Sequence, residues 1–230
     1  MSNETPSPRE GGKVSDSEKG MIVPGNLIVV SAPSGAGKSS LVGGALKRLD
    51  RLEYSISYTT RKPRGEERDG VEYYFVSKEE FLGMRDRGEF LESAEVHGCL
   101  YGTQRATVGR IIGEGSDVIL DIDVQGAAQI VRQMPGAVTV FVLPPSREVL
   151  ESRLRMRNLN DTEDLERRLE NASGEVLSYA GFKYVIVNDD LERATRELEA
   201  VIIAERHLLD RQRKLVKPII DSFGGDGFYA

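Results

Sequence analysis

Three groups of residues in this 230-residue chain have the types and spacing for chemistry on phosphates. The first is Gly37-Lys38-Ser39, which sits in the run Ser31 to Ser40, SAPSGAGKSS. In the pattern G-x-x-x-x-G-K-[ST], glycines let the backbone fold around phosphate oxygens, the lysine reaches the β and γ phosphates, and the hydroxyl serves Mg²⁺. Gly35 adds a second flexible point. Ala32 stands where the pattern has its first glycine, and a Cβ is tolerable there if φ is negative. The candidate phosphate cradle is therefore Ala32, Pro33, Ser34, Gly35, Ala36, Gly37, Lys38, Ser39 and Ser40. The second group is Asp121 and Asp123, at the end of the apolar run VILDID. A carboxylate beside a phosphate loop steers Mg²⁺ directly or through water. Asp121 is the candidate partner of Ser39 for the metal, and Asp123 faces the acceptor side, caps the following helix, or does both. The third group is arginine: Arg61 with Arg64, then Arg153, Arg155, Arg157, Arg167 and Arg168. Phosphoryl transfer spreads negative charge over several oxygens, so cations are needed that complete the site when a lid closes. Arg155 and Arg167 fit a solvated helix face equally well.

These groups need elements to hold them. Leu27 to Val30 is a short apolar strand that breaks into the loop, and Lys38 to Leu49 carries Leu41, Val42, Ala45, Leu46 and Leu49 on one helical stripe. The N-terminus of that helix points free N–H groups at a bound anion. Tyr54 to Tyr58 alternates and reads as a strand, followed by a loop at Pro63 and Gly65. Val71 to Val76 is rich in strand formers, Ser77 to Glu80 makes a capping box, and Phe90 to Val96 reads as a strand with Glu92 exposed on one side. These pieces interrupt a βα alternation, so they form a small inserted α+β subdomain. The alternation resumes with a helix near Thr103 to Ile112, a strand Asp117 to Asp123, a helix from about Gln125 and a strand Ala137 to Leu143 stopped by Pro144-Pro145. Ser146 caps a helix running through Arg157. Another helix begins at Thr162 and continues to about Ser178, and the two flank Asn158 to Asp161 as a lid would. Tyr184 to Val187 is the last strand, before a helix over Leu191 to Leu209.

Composition narrows the setting. A net charge of −6 argues against general nucleic-acid or membrane-surface binding. One Cys and two His exclude a disulfide framework and make a Cys/His metal site a poor fit, so Cys99, with only His97 near it in sequence, reads as a small filler. There is no run of ~18 apolar residues, nor the basic-then-apolar order of a signal peptide, which places the chain in a reduced cytoplasm. Residues 1–20 are polar and Pro/Gly-rich and read as a disordered tail. The segment after Leu208 either extends a helix for self-association, leaving a homo-oligomer open, or frays.

The ordered set SAPSGAGKSS, Ser57 to Arg64 (SYTTRKPR), Gly70 to Phe75 (GVEYYF), Phe90 to Glu92, Tyr101-Gly102, Asp121 to Gly126 (DIDVQG) and Val187 to Asp190 (VNDD) resembles a guanylate kinase across roughly Gly25 to Leu209. The resemblance implies an α/β fold: a P-loop NTPase-type parallel sheet flanked by helices, with an inserted GMP-binding α+β subdomain over 54–103 and a helical lid over about 146–179. The core would be 25–53, 104–145 and 180–209, with 210–230 as an extension. It also implies ATP and GMP as substrates, Mg²⁺ with the ATP, and ADP and GDP as products. Carried over by position, the acceptor-phosphate contacts fall on Arg61, Arg64, Tyr73 and Tyr101, and the guanine contacts on Ser57, Glu92, Thr103 and Asp123. The catalytic cations would be Lys38, Arg153, Arg157 and Arg168, with Asn188 at the ATP base. Ala32 is within the range of that family.

A carboxylate at Glu92 suits guanine because it accepts from two adjacent donors on one edge of the base, with Ser57 donating to the carbonyl. The rivals are a nucleoside monophosphate kinase for another base or a related kinase acting on a phosphorylated sugar, a non-catalytic docking module and a GTP switch protein. Ser57 and Glu92 favour guanine over the first pair. The intact loop and arginines weigh against the second. The third lacks an N-K-x-D guanine loop, which Asn188-Asp189-Asp190 does not supply.

Overall fold

The computed structural model describes residues 22–96, 98–157 and 162–224, with the side chains of Arg157 and residues 162–164 excepted. The expected tail, His97 and the loop Asn158 to Asp161 lie outside the described residues. The chain begins with β1 (Leu27–Ser31), α1 (Lys38–Arg48), β2 (Leu52–Tyr54), β3 (Tyr58–Thr59), β4 (Tyr74–Phe75) and α2 (Lys78–Asp86). It continues with β5 (Phe90–Val96), β6 (Cys99–Gln104), α3 (Arg105–Gly113), β7 (Asp117–Asp121), α4 (Val124–Gln133) and β8 (Val138–Leu143). Then follow α5 (Arg147–Arg157), α6 (Thr162–Val176), a 3-10 turn at Leu177–Gly181, β9 (Tyr184–Val187), α7 (Leu191–Arg206) and α8 (Leu209–Ser222).

Five strands form one parallel sheet in the order β2-β7-β1-β8-β9. Strand β1 is buried along its whole length because helices cover both faces, which is why its sequence is apolar without alternation. Ile28 and Val30 meet Leu41, Val42 and Ala45 of α1 and Ala194, Leu198 and Ile202 of α7. Leu27 and Val29, pointing the other way, meet Val108 and Ile111 of α3 and Ala127 and Ile130 of α4. Each fully buried Val, Leu or Ile among them is worth about 1.5–3 kcal/mol. The order reverses at β1, and in such sheets ligands settle beyond the carboxyl ends of the strands at the reversal. The phosphate loop and Asp121 both leave from that edge, with Val30 and Asp121 paired in register.

A second sheet, in the order β4-β3-β6-β5, stands apart from the first. Phe81 and Met84 of α2 and Phe90 of β5 form its small core, with the Phe81 and Phe90 rings stacked at 4.5 Å. Ser77 caps α2 as its sequence requires, accepting from the Glu80 N–H at 3.1 Å. Helices α5 and α6, the expected lid, join through Leu150, Leu154, Leu169 and Ala172, and Ser146 accepts from the Val149 N–H at the start of α5.

Several boundaries differ from expectation. Tyr54 to Tyr58 is not one strand: Tyr54 pairs with Ile119 in the parallel sheet, while Tyr58 pairs with Gly102 and Tyr74 in the other. Ser55 to Ser57 is the passage between sheets, which an alternating pattern imitates. Of Val71 to Val76 only Tyr74–Phe75 is strand, because the Asp69 carboxylate takes the Phe75 N–H at 2.8 Å and folds the preceding residues into a turn. The helix expected from Thr103 starts at Arg105, since Cys99–Gln104 is a strand paired with β5. Strand β7 ends at Asp121, freeing Asp123 to cap α4. The helix expected over Leu191 to Leu209 ends at Arg206, and the segment after it forms a separate helix, α8, which buries none of its own residues. Among the described residues no helix is long and apolar enough to cross a membrane.

Candidate active site

The phosphate loop is shaped by two left-handed glycines and by what presses on them. Gly35 and Gly37 have φ of 88° and 92°. A Cβ on Gly37 would stand 2.4 Å from Asn188 Nδ2, and one on Gly35 2.8 Å from Leu154 Cδ2. Ala32 carries no such strain, because Arg51 is the only described non-glycine residue with positive φ. Gly37 is the N-cap of α1 and offers no side-chain cap, so the first N–H groups of α1 remain for an anion. Lys38 donates to the Ile122 carbonyl at 2.8 Å and forms an ion pair with Asp121. Ser39 Oγ donates to Asp121 Oδ2 at 2.7 Å. Lysine, hydroxyl and carboxylate are thus gathered at one point, as their spacing suggested.

Behind the loop, Asn188 and Arg153 converge on one carbonyl. Asn188 Nδ2 donates to Ala36 O at 2.7 Å, Arg153 Nη1 to the same oxygen at 3.4 Å, and Arg153 Nη2 to the Asn188 carbonyl at 3.0 Å. Asn188 was expected at the ATP base, yet its side chain is turned inward to hold the loop and is only 3% exposed. From α6, Glu175 accepts from the Ser34 N–H at 3.3 Å, so this helix of the expected lid touches the loop. Arg168 also lies on α6, and Arg157 ends α5; the Arg157 side chain lies outside the described residues. Arg155 pairs with Glu151 on an exposed helix face, so the solvated-face reading holds for it.

Ser57, Tyr73, Glu92, Tyr101 and Asp123 of the expected acceptor side share a cleft with the loop, whereas Arg61, Arg64 and Thr103 are not among its lining residues. An open cavity of about 560 Å³ is lined by Ala32 to Gly35 and Gly37 to Ser39 on one side and by Ser57, Tyr73, Glu92, Tyr101 and Asp123 on the other, with Asp121 between. Glu92 is not exposed as expected but 4% exposed, because β5 turns it inward against Thr103. Thr103 Oγ1 donates to Glu92 Oε1 at 2.7 Å. Burial pushes the Glu92 carboxyl up to about 7, with the Thr103 hydrogen bond opposing and the nearby Asp123 charge reinforcing the shift. Asp123 faces the cleft and also accepts from the Gly126 N–H at 2.8 Å, so both of its expected roles coexist. Burial likewise raises the pKa of Tyr73.

Arg61 is pre-aimed. Its Nε donates to Tyr101 Oη at 3.2 Å, and its guanidinium lies 5.2 Å from the centre of the Tyr73 ring. Its two terminal nitrogens grip Glu67 at 2.9 and 3.0 Å. Arg64 gives its backbone N–H to the same carboxylate at 2.8 Å and extends an exposed side chain.

Residues 24–205 match the family model described as guanylate kinase. The chain belongs to the guanylate kinase family. It is similar to the guanylate kinase of Alkalilimnicola ehrlichii, with 47% identity over 194 residues that cover 84% of this chain and 96% of that one. The guanylate kinase of Koribacter versatilis is 50% identical over 185 residues, 79% of each chain. The crystal structure of guanylate kinase from Anaplasma phagocytophilum aligns with a TM-score of 0.72 at 32% identity, over 90% of this chain and 100% of that one.

Four further residues shape this guanylate kinase family site: Glu67 occupies Arg61, Glu175 reaches the loop from α6, Tyr54 lines the cleft and Gly126, within the DIDVQG run, lies under Glu92. Glu67 carried a local signal, as an acid six positions after Arg61 in a loop dense with cations. Among the described residues no cluster of three or more His, Cys, Asp or Glu is present. What Ser39 and Asp121 offer is a pair of hard oxygen donors, which fits a Mg²⁺ that takes its other ligands from water and phosphate.

Proposed function

We propose that this chain transfers the γ-phosphoryl group of ATP to GMP, giving ADP and GDP in cytoplasmic purine nucleotide metabolism. The observation that carries this reading is the single cleft in which the phosphate loop faces the buried Glu92 carboxylate. Ala32 to Ser40 would wrap the donor phosphates with main-chain amides, and Lys38 would leave Asp121 to bridge the β and γ groups. Ser39, with Asp121 acting through water, would hold Mg²⁺; when bound, the ion draws charge from the donor phosphates. Asn188 stands near the donor only through the loop it supports.

On the acceptor side, Arg61, Arg64, Tyr73 and Tyr101 would take the phosphate of GMP, and Ser57, Glu92, Thr103 and Asp123 would read guanine. A guanine edge offers Glu92 two donors; adenine would leave the buried carboxylate without a partner, and such a mismatch is costly. The attacking phosphate oxygen is already substantially ionised at neutral pH, so the reaction needs alignment and charge stabilisation rather than a general base. Arg153, Arg157 and Arg168 would gather over the transferring group as α5 and α6 close.

The test is a coupled ADP-release assay with GMP, AMP, dTMP and a ribose bisphosphate as separate acceptors. GMP should exceed AMP by on the order of 10⁴ in kcat/KM. Equal turnover with the sugar phosphate, or none with any acceptor, would overturn the reading in favour of a phosphosugar kinase or a docking module.

A further inference from the structure

Helix α4 presents one row of side chains to β5, the strand that carries Glu92. Gly126, Gln129 and Gln133 follow at spacings of three and four, which places them on one face. Gln129 Nε2 donates to the Ser93 carbonyl at 2.8 Å, and its Oε1 accepts from the Ser93 N–H at 3.1 Å. Gln133 Nε2 donates to the Leu91 carbonyl at 2.8 Å. Strand β5 is an edge of its sheet, so the main-chain groups on either side of Glu92 are met by side-chain amides of α4 instead of by another strand. At the head of the same row, a Cβ on Gly126 would lie 2.7 Å from Glu92 Oε2 and 3.2 Å from Asp123 Oδ1. A helix interior ordinarily favours alanine over glycine. Here φ is unexceptional, and the constraint is space.

We propose that Gly126, Gln129 and Gln133 are positioning residues for guanine selectivity: the glutamines fix the height of β5 over α4, and the glycine leaves the gap into which the Glu92 carboxylate settles. None of the three has to touch the substrate. The inference rests on the reading that Glu92 accepts from guanine. The Glu92 carboxylate cannot yield freely, because Thr103 holds its other oxygen and the whole side chain is buried. A methyl group at residue 126 therefore moves the carboxylate relative to the base, and displacements of this kind act strongly on binding.

The experiment compares Gly126→Ala, Gln129→Met and Glu92→Gln with the unaltered chain, using GMP and IMP as acceptors. IMP lacks the 2-amino donor, so the GMP-to-IMP ratio of kcat/KM reads the carboxylate contact. Gly126→Ala should raise KM for GMP by on the order of tenfold and lower that ratio by a similar factor, with KM for ATP within about twofold and no fall in Tm. Gln129→Met should shift the ratio in the same direction. Shortening the acid in Gly126→Ala/Glu92→Asp should restore part of the ratio lost in Gly126→Ala, a coupling that a general packing defect would not produce. If Glu92→Gln leaves the ratio unchanged, the guanine reading itself fails. If Glu92→Gln loses the ratio while Gly126→Ala and Gln129→Met keep it, only the positioning role fails. A loss shared equally between ATP and GMP and accompanied by a lower Tm would also overturn it.

Discussion

Asn188 and Ala36 lie 152 positions apart, and the side-chain Nδ2 of the first donates to the carbonyl of the second at 2.7 Å. The hydrogen bond ties the end of β9 to the middle of the phosphate loop. It also sets the space above Gly37, whose missing side chain lets the amide reach in. Asn188→Ala should raise KM for ATP by about tenfold and cost about 1–3 kcal/mol of stability, since a buried carbonyl loses its main donor. Paired nucleotide titrations and urea denaturation check both numbers.

Lys38→Ala should lower kcat by on the order of 10³ or more, the scale seen when a cation or donor is removed from a preorganised anion site. The fold should persist, because Asp121 retains Ser39 as a partner. Unchanged turnover in a variant with an unchanged circular dichroism spectrum would remove Lys38 from the chemistry.

Glu92 gives the clearest pH dependence. Its folded-state pKa is raised by burial to about 7, so the unliganded protein carries it largely protonated in mild acid. Guanine requires the ionised form as an acceptor. KM for GMP should therefore rise as pH falls below about 7, more steeply than in Glu92→Gln, whose dependence reflects only the remaining groups. For stability the sign is opposite. A raised carboxyl favours the folded state fully below its unfolded pKa, and that contribution is lost as pH rises through about 7. Glu92→Gln should accordingly be more stable than the unaltered chain at pH 8, by on the order of a few kcal/mol, and indistinguishable from it at pH 4.5. Tm measured at the two pH values decides.

Asp117, at the opposite end of β7 from Asp121, ties Asn26 to Arg206 at the end of α7. It is 3% exposed and accepts from the Asn26 backbone at 2.6 Å, from Asn26 Nδ2 at 3.0 Å and from Arg206 Nε at 2.6 Å. Asp117→Ala leaves those donors without a partner and should cost about 3–5 kcal/mol. KM for both nucleotides in the folded fraction should stay within about twofold.

The parts of this molecule that could be read from the sequence are those set by local pattern. The apolar run before the loop, Gly37-Lys38-Ser39, the Ser77 cap and Asp123 at the head of α4 each need only near neighbours, and each stands where its residues indicated. What escaped depends on distant pairing. Strand β6, which contains Gly102, was not expected; the structure puts the Phe81 and Phe90 rings about 3 Å from where a Cβ on Gly102 would be, so only glycine fits a strand there. Glu92 in an alternating strand looks solvated, and nothing in its own neighbourhood announces that Thr103 and α4 will enclose it. The inward turn of Asn188 is invisible for the same reason: its partner lies at the other end of the chain.

The grip of Arg61 on Glu67 has a consequence for how an anion would enter. With its own carboxylate as a place-holder, the guanidinium is held straight and desolvated before any ligand arrives, so docking a phosphate exchanges one anion for another instead of neutralising a bare cation. Glu67 stays tethered beside the guanidinium when displaced and already offsets its charge, so this corner presents less net positive charge than its arginines would alone. Ligand capture at this corner should consequently depend less on ionic strength than the number of arginines suggests, and stray inorganic anions must evict Glu67 before they can linger.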